Sequence, residues 1–411
     1  MRVNFFGGGV DMPESEEIVK VLNIVSAWKR TPDDVITPWL LLQVKELTES
    51  GINMDVFAPA YKGRRKHRGC DDYYYAKHVC NNPYAVEYSA EHHVHRFRYF
   101  PARWETLTHE KPASDGASSL WGKAKAACYV LAGCWAAFRL NHREHYDWLH
   151  VHWPWPHALF GYAAKLAWPK SKVVWTFYGS EFSQMKGFRW LMRWLVQRVH
   201  TVTAISNFTA GLVHDKIGRG IEVKVIPFGA VPRPVANGGR RTPGYTTKRV
   251  LFVGRLVERK GVDVLIEASR GQPWTLVIVG QGPEFGRLWT LSQGMANVSF
   301  LGAIDDMQLD QEFRDADVFV LPARVDKRGD TEGLGVVLLE AMSYGLPTIA
   351  SNVGGIGDIP GVYVTPDQPQ ELRRTIRFLL NSHGIVASIP PQFLWPAIIA
   401  QWREVYGSYH D

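Results

Sequence analysis

The chain has 411 residues, 46% of them hydrophobic and 21% charged, with 47 Lys and Arg against 40 Asp and Glu for a formal net charge of +7. This length exceeds one hydrophobic core and predicts two domains of roughly 200 residues, while the composition excludes a disordered or fibrous chain. The positive balance favours anionic partners, but zinc-finger spacings and the aromatic signatures of RNA-binding modules are missing, so nucleic acid is not among them. Met1 to Lys20 lacks a sustained apolar core, so no secretory signal is expected, and no run approaches the roughly 20 apolar residues that span a bilayer. Four cysteines make no disulfide framework and favour a reducing cytoplasm. Cys70 and Cys80, near His67 and His78, fit no zinc spacing and read as loop residues.

In chain order, Val21 to Ser26 predicts a first strand, Pro38 to Glu49 a helix stopped by Gly51, and Asn53 to Ala58 a second strand. Tyr61 to Asp72 is a basic loop, Tyr-Lys-Gly-Arg-Arg-Lys-His-Arg followed by Gly-Cys-Asp-Asp. A helix over Ala117 to Leu140 follows, then a strand at Trp148 to Trp153, a helix through Ala167 and a strand at Val173 to Tyr178. Gly187 to Val199 and Asn207 to Lys216 predict helices, and Thr201 to Ile205 and Val223 to Pro227 predict strands. Pro232 to Lys248 is rich in Pro, Gly and Arg and reads as a linker.

Beyond it the alternation resumes, with strands at Val250 to Gly254, Thr275 to Val279, Val298 to Leu301, Val318 to Leu321, Thr348 to Ala350 and Val362 to Val364. Helices include Val262 to Ser269, Val336 to Tyr344 and a Trp-rich segment from Pro396 to Tyr406. Alternation of this kind means parallel sheets with helices on both faces.

Two segments carry the chemistry. In Thr331-Glu332-Gly333-Leu334-Gly335-Val336, a helix starting near Gly335 would offer free N–H groups beside Glu332, with Glu340 just over a turn further in. Upstream, a buried strand ends in Gly254-Arg255, and Lys260-Gly261 follows five positions later. Cations and a helix N-terminus in one half of the chain point to a diphosphate.

In order, Gly254-Arg255-Leu256-Val257-Glu258-Arg259-Lys260-Gly261, Glu332-Gly333-Leu334-Gly335, Glu340-Ala341-Met342 and Ser351-Asn352-Val353-Gly354-Gly355 resemble the retaining family-4 glycosyltransferases, whose fold is GT-B. The resemblance implies an α/β chain of two Rossmann-like, doubly wound domains facing a cleft, with a C-terminal helix crossing back to the first domain. It divides the chain into an acceptor-binding domain at 1–232, a linker at 233–248, a nucleotide-sugar domain at 249–390 and the returning helix at 391–411. It implies that Arg255 and Lys260 meet the charge of a departing diphosphate, and that the amides of Leu334 and Gly335 add donors to its phosphates. Glu340 would bind the ribose and Glu332 the sugar, with Gly254, Gly282, Ile304 and Gly333 completing the donor site. No cofactor or metal is expected: Asp315-Ala316-Asp317 leads into the apolar strand Val318-Phe319-Val320-Leu321 and matches no metal motif of this family.

The resemblance is strong over residues 225–360 and looser before. Tyr178-Gly179-Ser180-Glu181 stands where many relatives have His-Gly-Ser-Asp, so Tyr178 either makes the hydrogen bond of that histidine or yields the role to another residue, His152 being the candidate. His152 and Glu181 are the expected acceptor-side residues. Phe228 replaces the Asn of the usual Ile-Pro-Asn-Gly, and Ser26-Ala27-Trp28 stands where a Gly-Gly turn is common. The expected activity is transfer of a hexose from a UDP-sugar or GDP-mannose to a glycan or lipid-linked acceptor. A GT-B epimerase or hydrolase, and a non-catalytic nucleotide-sugar-binding subunit, are the other readings. Lys186 to Leu195 mixes cations with Trp at helical spacing, which fits either an ordinary amphipathic helix or peripheral contact with the inner face of an anionic membrane.

Overall fold

The computed structural model describes residues 18–28, 37–60, 93–101, 104–105, 107, 120–185, 187–232, 247–382 and 384–407. The basic loop at 61–72, the Cys70 and Cys80 region, Lys186 and most of the expected linker lie outside those residues.

Strands β1 (Lys20–Ile24), β2 (Asn53–Pro59), β3 (Val94–Phe97), β4 (Trp148–His152), β5 (Lys172–Phe177), β6 (Thr201–Ala204) and β7 (Val223–Val225) build the first sheet. Their order is β3-β2-β1-β4-β5-β6-β7, and every pairing is parallel. Strands β8 (Arg249–Val253), β9 (Thr275–Val279), β10 (Val298–Gly302), β11 (Val318–Leu321), β12 (Thr348–Ser351) and β13 (Val362–Val364) build the second. Its order is β10-β9-β8-β11-β12-β13, again all parallel. Central strands such as β4, β11 and β12 are buried along their whole length, because helices cover both faces; β11 accordingly reads as an unbroken apolar run.

In each sheet the strand order reverses beside the first strand of the domain, at β1/β4 and at β8/β11, and ligands of doubly wound sheets bind outside the carboxyl ends of the strands at such switch points. This is the two-domain GT-B architecture. The final helix, Trp395–Gly407, returns to the first domain: Trp395, Ile398, Trp402 and Tyr406 bury against Val21, Leu40 and Trp148. Trp148 Nε1 donates to Tyr406 O at 3.0 Å, and a Cβ on Gly229 would lie 2.4 Å from the Trp395 ring. The strap therefore needs a glycine at 229.

The domains meet where the loops after β5 and β6 touch the Glu332–Asp358 region. A Cβ on Gly333 would sit 2.6 Å from the Tyr178 carbonyl oxygen, and one on Gly355 2.6 Å from Ser206 Oγ. Asn207 N donates to Asp358 Oδ2 at 2.6 Å across the same junction.

Candidate active site

Three neighbouring strands, β8, β9 and β10, end in glycines with positive φ: Gly254 (156°), Gly280 (132°) and Gly302 (70°). Gly254 N bonds Val279 O, and Gly280 N bonds Gly302 O, so the three chain reversals lie side by side. A Cβ on Gly280 would fall 1.9 Å from Gly254 O. At Gly280 the backbone is packed too closely for any side chain, and at Gly254 and Gly302 the positive φ favours glycine, leaving a shelf of main chain at the strand ends.

On that shelf, a single turn at Glu258–Lys260 turns Arg259 and Lys260 toward Glu332. Lys260 Nζ donates to Glu332 Oε2 at 3.0 Å, and Arg259 Nε donates to Oε1 at 3.1 Å. Burial pushes the Glu332 carboxyl up, but Lys260 and Arg259 outweigh it and hold the group below the usual carboxylate range. Glu332 is thus a buried anion held between two cations. Arg259 was not among the expected site residues; its signal was the Arg-Lys doublet itself, two adjacent cations on a turn.

Arg255 projects from the end of β8 and is exposed, with no ion-pair partner among the described residues. Gly335 (φ 80°) caps the helix Val336–Ser343, whose Leu338, Leu339, Ala341 and Met342 bury in the second core. The main-chain N–H groups of Leu334 and Gly335 have no hydrogen-bond partner among the described residues, and they follow Glu332 directly. Glu340 lies half-buried on the same helix, and Ile304 packs at the edge of the core beyond Gly302. Gly282 packs on the Leu256 carbonyl, where a Cβ would stand 2.2 Å away. The donor-side residues expected from sequence therefore lie on the turns that follow the strands of the second sheet, apart from Glu340, which sits on the helix Val336–Ser343.

Asp317 has a different place. Its carboxylate accepts from Arg249 N (2.8 Å) and Lys248 Nζ (3.1 Å), tying the amino ends of β8 and β11 together at the opposite edge from Gly254. Asp315 is buried at the end of the preceding helix.

The first domain presents an aromatic wall. Tyr178 follows β5 and stacks on Trp153 at 4.3 Å, with Phe228 at 5.8 Å and Trp39 at 5.4 Å. Trp153 is held at φ 49°, a left-handed conformation costly for a Trp, which turns its ring onto Tyr178. Asn23 Nδ2 donates to Asp55 O, so Asn23 Oδ1 accepts from His152 Nε2 at 3.1 Å. His152 Nδ1 then accepts from the Tyr178 hydroxyl at 2.6 Å. Both ring nitrogens of His152 are engaged and the side chain is fully buried, which puts it beneath the wall and not at an open surface. Burial, with His150 and His157 nearby, holds it neutral by pushing its pKa well down.

Glu181 sits at the start of the next short helix, buried, and accepts from Tyr178 N at 2.8 Å through Oε1. Its other oxygen, Oε2, has no hydrogen-bond partner among the described residues. Burial raises its pKa to about 7, the amides of residues 178, 179 and 181 oppose the shift, and Asp330 of the second domain adds to it. This couples Glu181 electrostatically across the junction.

Residues 242–387 match the family model described as glycosyl transferases group 1, and residues 37–229 match the glycosyl transferase 4-like domain. Both halves of the chain carry the signatures of a GT4-type glycosyltransferase, in the order that the two sheets occupy. Among similar proteins is a GDP-mannose-dependent alpha-(1-6)-phosphatidylinositol monomannoside mannosyltransferase of Mycobacterium tuberculosis, 34% identical over 218 residues, 49% of this chain and 56% of that one. Another is the D-rhamnosyltransferase WbpZ of Pseudomonas aeruginosa, 29% identical over 259 residues, 57% of this chain and 64% of that one. The chain thus spans a little over half the length of the curated relatives it matches. Among solved structures, sucrose-phosphate synthase from Thermosynechococcus elongatus superposes with a TM-score of 0.67 at 18% identity, covering 95% of this chain and 98% of that one. Anabaena HepE in complex with UDP and glucose does so with a TM-score of 0.64, also at 18% identity, covering 95% and 100%. At such identities these two establish the fold alone.

Proposed function

We propose that the protein is a retaining glycosyltransferase that moves a hexose from a nucleoside-diphosphate sugar to a hydroxyl of a glycan or lipid-linked acceptor, without a metal. The carrying observation is the Lys260–Glu332–Arg259 cluster on a main-chain shelf, beside the exposed Arg255 and the Leu334 and Gly335 amides, which have no partner among the described residues. Such a site answers a pyrophosphate: Arg255 takes phosphate oxygens bidentately, the ammonium of Lys260 supplies a point charge, and the amides complete the cradle. The names of the matched relatives favour GDP-mannose as the first donor to try, with UDP-sugars next.

As the bond from the anomeric carbon to the phosphate oxygen breaks, its electron pair passes to the β-phosphate. Charge grows where Arg255 and Lys260 are already placed, so they lower the barrier without reorganising. The acceptor hydroxyl approaches from the same face, bonds to the anomeric carbon and yields its proton to the departing phosphate oxygen. Glu332 stabilises the sugar's developing positive charge, and Glu340 holds the ribose. On the other side of the junction, Tyr178 acts as a positioning residue through its aromatic stack. Glu181, buried at the same junction, holds the Tyr178 amide, with His152 acting behind Tyr178.

The test is incubation with GDP-mannose and several UDP-sugars in the presence of a chelator, with and without saccharide acceptors, and NMR assignment of the product anomer. Retained configuration with transfer is expected. Release of free sugar alone would indicate a hydrolase, and binding without turnover a non-catalytic subunit.

A further inference from the structure

On the outer face of the first sheet lie three helices: Leu120–Glu144, Pro154–Ala167 and Arg189–Val196. The inner side of the first is buried at Tyr129, Ala137 and Leu140 and packs so tightly that a Cβ on Gly133 would lie 2.3 Å from the Phe160 ring. Its outer side should then be polar. Instead Trp121, Leu131, Trp135 and Phe138, at helical spacing, are exposed, Leu131 by 71% and Trp135 by 63%. The third helix repeats the pattern with Trp190 exposed by 69%, and Phe188 and Trp194 beside it. Tyr162 of the middle helix meets Trp194 at 5.6 Å and Trp155 stacks on Phe188 at 4.4 Å, so aromatic contacts join the second and third helices, while the first packs on the second through Gly133 and Phe160.

Charge on this layer is one-sided. The first helix carries four Lys or Arg, the second one and the third two, against a single acid, Glu144. Some of these cations lie against the same rings: the Arg139 guanidinium is 5.4 Å from the Trp135 ring, and that of Arg198, just beyond the third helix, 3.6 Å from Trp194. Exposed Trp in a field of cations, with no helix among the described residues long and apolar enough to cross a membrane, describes a surface that lies on the bilayer interface.

We propose that this three-helix face docks on an anionic phospholipid surface, the Trp and Leu side chains entering the headgroup region and the Lys and Arg side chains meeting lipid phosphates. The sequence alone singled out only the segment around Arg189–Val196; the larger share comes from Leu120–Glu144. The face borders the proposed acceptor side, since Trp155 on it is two residues from Trp153, which stacks on Tyr178. That geometry suits delivery of a lipid-linked acceptor, a consequence that rests on the function proposed above, whereas docking itself does not.

The test is flotation of the full chain with phosphatidylcholine vesicles containing phosphatidylglycerol, against phosphatidylcholine alone. Binding to the anionic vesicles only is expected. Trp135→Ser with Trp190→Ser, and separately Lys123→Glu with Arg139→Glu, should abolish or sharply weaken it, by roughly fivefold per cation lost. Circular dichroism should show both variants folded, and turnover on a water-soluble saccharide should be unchanged. Absence of anionic-vesicle binding, or binding unaltered in the folded variants, overturns the proposal. So does concentration-dependent self-association lost in Trp135→Ser with Trp190→Ser, which would assign the face to a second copy. Loss of turnover in wild type with flotation intact would instead fault the activity.

Discussion

The two sides of the domain junction are built from opposite materials. The second domain brings fixed charge and bare main chain: Glu332 between Lys260 and Arg259, Arg255 in solvent, and glycines where strands end. The first domain brings aromatic rings over neutral, fully buried groups: Tyr178 on Trp153 and Phe228, with His152 behind. Burial takes His150 down to about 3 and His157 to about 4, so both are uncharged near neutral pH. A pyrophosphate needs the first kind of surface, and a neutral sugar acceptor needs the second.

The contrast is broken most strongly on the charged side. Lys260→Ala should lower turnover by about 10²–10³, the usual cost of removing one charge-stabilising group. It should also cost stability, on the order of 1–3 kcal/mol, because the buried Glu332 keeps only Arg259. Arg255→Ala should lower turnover to a similar degree while stability stays within about 0.5 kcal/mol, since its side chain is exposed. Steady-state kinetics and thermal melts of both variants check this; equal melting losses in the two would mean that Arg255 is a structural cation.

The same asymmetry governed what was readable from sequence. On the donor side, backbone-driven features are local: a strand, a positive-φ glycine and a cation within a few residues. Gly254, Lys260, Glu332 and Gly335 were therefore legible together. Buried strands β8, β9 and β11 announced themselves as largely apolar runs. Strand β3 did not: Val-His-Arg-Phe is four residues at a sheet edge, mostly half-buried, and nothing in its composition separates it from loop. The predicted helix at Ala117 to Leu140 runs in the structure from Leu120 to Glu144, since Asn141 finds side-chain partners in Ala164 O and Ser171 and does not break the helix.

Least legible was the first domain's chemistry, because it depends on contacts between distant segments. Tyr178 and Phe228 are separate departures from the family pattern in sequence, yet their rings lie 5.8 Å apart and stack. Trp39 joins them at 4.5 Å from Phe228. A large ring at one position is matched by a large ring at the other, which makes the pair a single rearrangement of the wall.

A smaller effect tests the electrostatic link across the junction. Glu181 has its folded pKa raised from 4.5 to about 7, so the folded state holds a proton that the unfolded state has released between those values. Stability must then fall as pH rises through that window, and the loss is complete above about 7. At about 1.4 kcal/mol per unit, it amounts to about 3 kcal/mol. Glu181→Gln keeps an acceptor for Tyr178 N and removes the titration, so its denaturation midpoint should stay level from pH 5 to about 8 while the wild type declines. Parallel curves for the two proteins would place the titrating group elsewhere.

The smallest expected effect separates a wall from a catalyst. Tyr178→Phe keeps the ring and its stacking but removes the hydroxyl that donates to His152 Nδ1. The buried acceptor left behind should cost about 1–2 kcal/mol. Because that hydroxyl is spent inside the domain, turnover should fall less than about tenfold, well short of the loss at Lys260. Tyr178→Ala, by contrast, removes the surface on which Trp153 and Phe228 stack and should raise KM for the acceptor more than it lowers kcat. A Phe variant as inactive as Lys260→Ala would mean that the hydroxyl leaves His152 during turnover and reaches the sugar. The aromatic side of the junction would then share the chemistry that is here given wholly to the charged one.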